Sequence, residues 1–333
     1  DAPSAPVATV TALGLDADAE EPRGGGGDGG GMPVLELALR HADRIVFPST
    51  RFATEVREDE ALAGPLSSVL AARAKDLLGI VPGIDARQWD PAGDLGIAAR
   101  YHAGDRSGKE ACRAALAERC GWPHDPAESG WPWPIVGLIA RLDDEKGLNV
   151  VRDALDGLLA LDVRLAVLGR GEPAYEAMFA DAARRRPERV HARLAFDDGQ
   201  ARRILAGADL LLVPSQREAG GMQQLRALRY GTIPVAHATG GLVDSLREFE
   251  PDTGEGSAFL FRPHTGSALL EALARATLVH AEPHRWARLV RNALTTDVSW
   301  EATAAGYDEA YRAVRRHLEA RRFSSWALGI ART

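Results

Sequence analysis

The feature that most constrains this chain lies between residues 135 and 262, where short apolar runs recur at 135–140, 163–168, 193–196, 209–213, 232–236 and 258–262. Amphipathic helical stretches such as LNVVRDALDGLLAL and ALLEALARATLV separate them. Strands that alternate with helices, with no two-residue hairpin turn joining neighbours, call for parallel pairing, and a parallel sheet has both faces covered. The expected fold class is therefore α/β, with a Rossmann-like doubly wound parallel sheet.

The rest of the chain is less regular. Residues 1–31 are mostly Ala, Pro, Asp, Glu and Gly, ending in GGGGDGGG, and read as a disordered Gly-rich linker with too few large apolar side chains to offset the entropy of ordering. From Met32 a helix-like run, MPVLELALRHA, leads into the short strand DRIVFPST, a further helical segment and the strand-like LLGIVPGID. Residues 93–133 are polar, with a helical centre, and SWEATAAGYDEAYRAVRRHLEARR near the end reads as one long amphipathic helix. With 333 residues the chain exceeds one ordinary core and suggests about two lobes or one large α/β unit.

Charge and cysteines narrow the partners. A formal charge of -7 argues against nucleic acid, and the basic runs RRRPER (184–189) and RRHLEARR (315–322) read as solvated helix faces. Cys112 and Cys120 lie eight apart on a helical stretch, roughly 12 Å at the helical rise, too far to bridge. Reduced packing cysteines fit a cytoplasmic compartment. No run of about 18 apolar residues suggests a membrane span, and no His or Cys cluster has metal-ligand spacing.

Ligands of open parallel sheets bind outside the carboxyl ends of the strands, so the residues that follow each apolar run form the candidate site. They are Arg141 and Lys146, then Gly169 and Gly171, then Phe196, then Glu218 with Gly220 and Gly221, then Thr239, Gly240 and Gly241. Cations, glycine turns that open helices, one aromatic ring and one carboxylate are the parts that hold a sugar joined to a nucleoside diphosphate. Arg141 and Lys146 would neutralise a departing diphosphate. Taken singly, each has a structural reading as well. The two cations could pair with Asp143, Asp144 or Glu145 on a solvated turn, Phe196 could be core, and Glu218 could favour a helix N-terminus. His237, at a strand end, has both a donor-site and a packing reading.

The motifs RLDDEKG, LGRGEP, FDD, GADLLLVPSQREAGGMQQL, RYGTIPV and TGGLVDSL, in that order, resemble those of bacterial glycogen synthases and plant starch synthases. ADRIVFPST, GIVPGIDARQWDP, YHAGDRSGKEACRAAL and DVSWEATAAGYDEAY extend the resemblance over about Met32 to Arg322. It implies a GT-B glycosyltransferase that transfers glucose from ADP-glucose to the non-reducing end of an α-1,4-glucan, the glycogen or starch acceptor, with retention and with no metal or cofactor. It implies that Arg141 and Lys146 contact the donor diphosphate, and that Glu218 contacts the transferred glucose beside backbone groups of Gly220, Gly221 and Met222. Phe196 then stacks on the base, and Thr239, Gly240 and Gly241 lie near the phosphates. In a plant or alga the compartment would be the plastid.

The resemblance also divides the chain into the linker 1–31, a remnant of the N-terminal lobe at 32–92, an interlobe connection at 93–133, a nucleotide-sugar lobe at 134–296 and a C-terminal helix, 297–333, crossing back towards the first lobe. The family's Lys-Thr-Gly-Gly loop is not found, the family's asparagine is replaced by Pro82, and its SRFEPCGL reads Ser215 to Met222 as SQREAGGM. The chain is therefore expected to be a donor lobe that transfers poorly alone. A UDP-sugar transferase with another acceptor and a non-catalytic nucleotide-sugar-binding module are the alternatives.

Overall fold

The computed structural model describes residues 4–6, 31–122 and 133–330. Most of the expected 1–31 linker lies outside the described residues; within it, β1 (Ser4–Pro6) pairs antiparallel with β2 (Gly31–Pro33). The described chain forms two compact units, one from residues up to Ile80 together with those from Gly306, the other Val81–Ala305.

In the smaller unit α1 (Val34–His41) precedes β3 (Ile45–Phe47), and α2 (Thr50–Glu58), α3 (Glu60–Ala63) and α4 (Ser67–Ala72) lead to β4 (Leu77–Gly79), parallel to β3. Ser49 caps α2, its Oγ accepting from Phe52 N at 3.0 Å. Arg73 donates to the carbonyls of Leu39, Arg40 and Ala42, which end α1 without helical partners. Val56, Ala63 and Leu70 form a small core. The strand expected over LLGIVPGID is only Leu77–Gly79, since Pro82 cannot donate to a ladder.

The larger unit holds six parallel strands: β5 (Ile135–Leu142), β6 (Arg164–Gly171), β7 (Val190–Arg193), β8 (Leu210–Val213), β9 (Ile233–His237) and β10 (Phe259–Phe261). Their spatial order is β7-β6-β5-β8-β9-β10, in which the winding reverses between β5 and β8. Helices α5 (Ser107–Arg119), α6 (Leu148–Ala160), α7 (Pro173–Arg185), α8 (Asp198–Gly207), α9 (Gln223–Arg229), α10 (Gly240–Ser245), α11 (Gly266–His280) and α12 (Pro283–Thr295) complete the unit, and α13 (Trp300–Ile330) starts in it. In α6 the buried Leu148, Val151, Leu155 and Leu158 recur at helical spacing, which is why an apolar stripe here becomes a helix against the sheet.

Two expectations differ from the structure. The third strand is Val190–Arg193, not 193–196: Val190, in register with Leu165, is buried, while Phe196 beyond the strand is 76% exposed. Residues 81–92, expected with the first region, belong to the larger unit. Ile84 N donates to Val298 O at 2.8 Å, and a Cβ on Gly83 would stand 2.4 Å from the Ser299 backbone. The GID and DVSWE motifs thus pack against each other.

Candidate functional site

At the carboxyl ends of β5 and β8, where the winding reverses, the larger unit has a cleft of about 330 Å³. Arg141, Lys146, Ser215, Glu218, Gly221 and Met222 line it, with Gln223 and Gln224 from the start of α9. Lys146 follows β5 and Glu218 follows β8, and Lys146 Nζ donates to Glu218 Oε2 at 2.8 Å. Ser215 Oγ donates to the same oxygen at 3.0 Å. The side chains of Lys146 and Glu218 retain 26% and 16% of their exposure, so the pair is sheltered yet within reach of a ligand.

The turn between β5 and α6 is held by its own acids. Arg141 Nε donates to Asp143, whose hydrogen bond holds the guanidinium above its ordinary range, and Nη2 donates to Glu145 Oε2 at 2.8 Å. Asp143 Oδ1 accepts from Lys146 N at 2.9 Å. Asp144 accepts from the Tyr175 hydroxyl; burial first, and this carboxylate second, push that phenol up to about 12. Gln216 N donates to Glu145 O at 2.9 Å, tying the turn to the loop after β8. Gly147 has φ +77, and a Cβ there would stand 1.9 Å from Pro214 O, so only glycine lets the two turns meet.

The other glycines serve backbone contact too. A Cβ on Gly240 would stand 1.9 Å from Glu218 O, and one on Gly241 2.4 Å from Gly220 O. Gly241 N donates to Glu218 O at 2.8 Å. The turn Thr239–Gly241 therefore rests directly on the loop that carries Glu218. Gly169 and Gly171 lie on β6, where a Cβ would stand 2.1 Å from Ala140 O and 2.3 Å from Leu142 O respectively.

The structure thus gathers Arg141, Lys146, Glu218, Gly221 and Met222 on one cleft. Gly220 is buried beneath it, Thr239–Gly241 lies against its Glu218 side, and Gly169 and Gly171 lie along β5. Phe196 is exposed beyond β7 and does not line the cleft. His237 Nδ1 is 2.9 Å from Ser215 O and its ring centre is 4.6 Å from that of His264, whose Nε2 is 2.8 Å from Pro214 O. These histidines brace consecutive carbonyls at the exit of β8.

Sequence reasoning passed over Ser215, Gln223, Gln224, His264 and Arg170. Ser215, Gln223 and Gln224 fall inside the motif GADLLLVPSQREAGGMQQL, and Arg170 stands between the two glycines of LGRGEP; in the ladder it is opposite Arg141. Among the described residues, no group of three or more His, Cys, Asp or Glu could hold a metal ion, and no helix is long and apolar enough to cross a membrane.

A parallel sheet with a charged cleft at its switch point fits the GT-B class of glycosyltransferases, and comparison with known proteins agrees. Residues 128–292 match the family described as glycosyl transferases group 1. A glycogen synthase of Anaeromyxobacter dehalogenans is 44% identical over 278 residues, 84% of this chain and 57% of that protein. A glycogen synthase of Alkalilimnicola ehrlichii is 38% identical over 92% of the chain and 63% of its own length. The catalytic domain of starch synthase IV from Arabidopsis thaliana, solved with ADP and acarbose, superposes with TM-score 0.79 at 30% identity, over 93% of this chain and 64% of that one. The chain belongs to the glycogen synthase and starch synthase family of these glycosyltransferases. It spans little more than half the length of the first of these relatives.

Proposed function

We propose that this chain is the donor-binding part of a glycogen or starch synthase-type glucosyltransferase, moving glucose from ADP-glucose to the non-reducing end of an α-1,4-glucan with retention. The observation that carries the reading is the Lys146–Glu218 pair, whose members lie 72 residues apart and meet at 2.8 Å in the cleft between β5 and β8. Lys146 and Arg141 neutralise the leaving diphosphate, exchanging their carboxylate partners for phosphate oxygens. Glu218, released from Lys146, accepts from a hydroxyl of the glucose. Phe196 offers an aromatic face to the base. The names of the relatives, and the ADP in the starch synthase IV structure, support the choice of donor and acceptor.

Transfer requires the glucan to be held against the donor, because orientation supplies much of the acceleration. We assign transfer to the polypeptide at the full length of its relatives and donor binding to this chain. The two free, buried cysteines fit a reducing cytosol.

Calorimetric titration with ADP-glucose and UDP-glucose, on the wild type and on an Arg141→Ala, Lys146→Ala double variant, tests the reading alongside glucose incorporation into glycogen. Binding of ADP-glucose that the double variant loses, without incorporation, is the expected result. No binding of either nucleotide sugar would sink the donor site, a preference for UDP-glucose would change the donor, and incorporation by this chain alone would overturn the division of labour.

A further inference from the structure

We propose that Gln224 is a positioning residue for the sugar end of the donor: its buried carboxamide joins the Glu218 loop to the Gly240–Gly241 turn and so fixes where Glu218 stands over the cleft. The proposal rests on the donor-site reading above and adds to it a residue whose two donated hydrogen bonds both go to protein groups.

Gln224 lies in the first turn of α9 and is fully buried. Its Nε2 donates to Gly220 O at 2.9 Å and to Ser245 Oγ at 3.2 Å. Ser245 Oγ in turn donates to Gly241 O at 2.6 Å. Gly241 N donates to Glu218 O at 2.8 Å, and the short chain from Glu218 to Gly220 closes the ring. The loop that carries Glu218 is therefore held at two points, by a backbone bond at Glu218 itself and by the carboxamide at Gly220.

The carboxamide has no slack. Gly221 has φ +70, and a Cβ there would stand 2.4 Å from Gln224 Oε1 and 2.6 Å from Nε2, so the loop is moulded over the amide. Oε1 has no hydrogen-bond partner among the described residues, and neither has Oε1 of Gln223 beside it on the same cleft. A buried acceptor left unmet costs free energy that an apolar side chain of the same shape avoids. The amide at this position thus stands out for its two donated bonds, and both end on the turns that flank Glu218. Neither bond involves Lys146 or its turn, whose backbone is held separately by Asp143 Oδ1 on Lys146 N, so the diphosphate clamp and the sugar contact should separate.

The test titrates ADP and ADP-glucose into the wild type, Gln224→Met and Ser245→Ala, with a thermal melt of each. Methionine keeps the volume and removes both donors; Ser245→Ala cuts only the link between Gln224 and Gly241. For Gln224→Met the affinity for ADP-glucose should fall about tenfold, the worth of one misplaced hydrogen bond, while that for ADP stays within about twofold. Ser245→Ala should shift in the same direction by about threefold, and it decides the matter if Gln224→Met does not fold. Parallel losses for both ligands that track the melting temperature would make Gln224 merely structural and overturn the proposal. So would unchanged binding in both variants. A wild type that binds neither nucleotide removes the donor site itself, a failure visible before any variant is examined.

Discussion

Strands β5 and β8 end in ion pairs at both edges of the same sheet, and the two clusters are built on opposite principles. At the amino-terminal edge Asp209 accepts from Arg113 Nε at 3.0 Å and from Ile135 N at 2.8 Å, with His280 Nε2 3.6 Å away. Beside it, Lys109 Nζ lies within 3.2 Å of the carbonyls of Ala206, Ala208 and Tyr230 and of Thr232 Oγ1. All of these side chains are buried. At the carboxyl edge Lys146 and Glu218 keep part of their exposure, and Arg141 keeps 53% of its side-chain exposure. Charge enclosed by a full set of partners braces the strand entrances; charge paired only with acids that keep some exposure to solvent can be handed to a ligand. Strong perturbation here marks structure rather than chemistry.

The sharpest way to break this contrast is to treat the two carboxylates alike. Burial opposes ionisation of Asp209, yet Arg113, His280 and the Ile135 N–H outweigh it and hold the acid well below its ordinary range. Asp209→Ala leaves Arg113 buried without its counter-charge and should cost about 3–5 kcal/mol in urea unfolding. Any folded fraction should bind ADP-glucose as the wild type does. A loss below about 1 kcal/mol would put Asp209 with the surface pairs and erase the distinction.

Next in size is a pH effect at the buried lysine. Burial lowers Lys109 from 10.5 to about 8, with Asp209 offsetting part of the shift. Between those two values the unfolded chain holds the proton more tightly, so folding stability should rise with pH across the window, by up to about 3 kcal/mol from this group. It should be lost again as the pH falls through the lower value. Urea melts of the wild type against Lys109→Met should isolate the rise, and equal slopes would show that Lys109 ionises freely in the fold.

At the carboxyl edge the order of effects inverts. Lys146→Ala should move stability by no more than about 1 kcal/mol and weaken ADP-glucose binding by about 2 kcal/mol or more, roughly thirtyfold, in calorimetry. Phe196→Ala should leave the urea midpoint unchanged and cost about 1 kcal/mol of nucleotide affinity. An unchanged affinity would leave this exposed ring outside the donor site.

Much of this fold was legible because its core obeys a short rule. β5, β6, β8, β9 and β10 fall within two or three residues of apolar runs, since a strand covered on both faces has to be apolar throughout. β7 escaped because its four residues include only one buried side chain, Val190, and the apolar residues after it, Leu194 to Phe196, lie beyond the strand. Arg141 and Glu218 were readable as residues at strand ends. That Lys146 reaches Glu218 rather than the acids of its own turn depends on β5 and β8 being neighbours, which no local spacing states. Lys109 and Asp209 were hidden for the opposite reason: a buried charge in a helix or before a strand looks like a solvated one until its surroundings close over it. Gln224 sat in MQQL as an ordinary helix start.

The glycines at the cleft have a consequence for how such a chain can drift. On Gly147, Gly240 and Gly241 the place of a β-carbon is taken by the main chain at Pro214, Glu218 and Gly220. A copy released from selection for its chemistry can exchange the lysine or the glutamate and still fold, but a side chain on one of these glycines has to push a neighbouring turn aside. In a decaying lineage the charges therefore vanish first and the glycines persist as the imprint of the lost activity. This chain keeps Lys146 and Glu218 together with all three glycines.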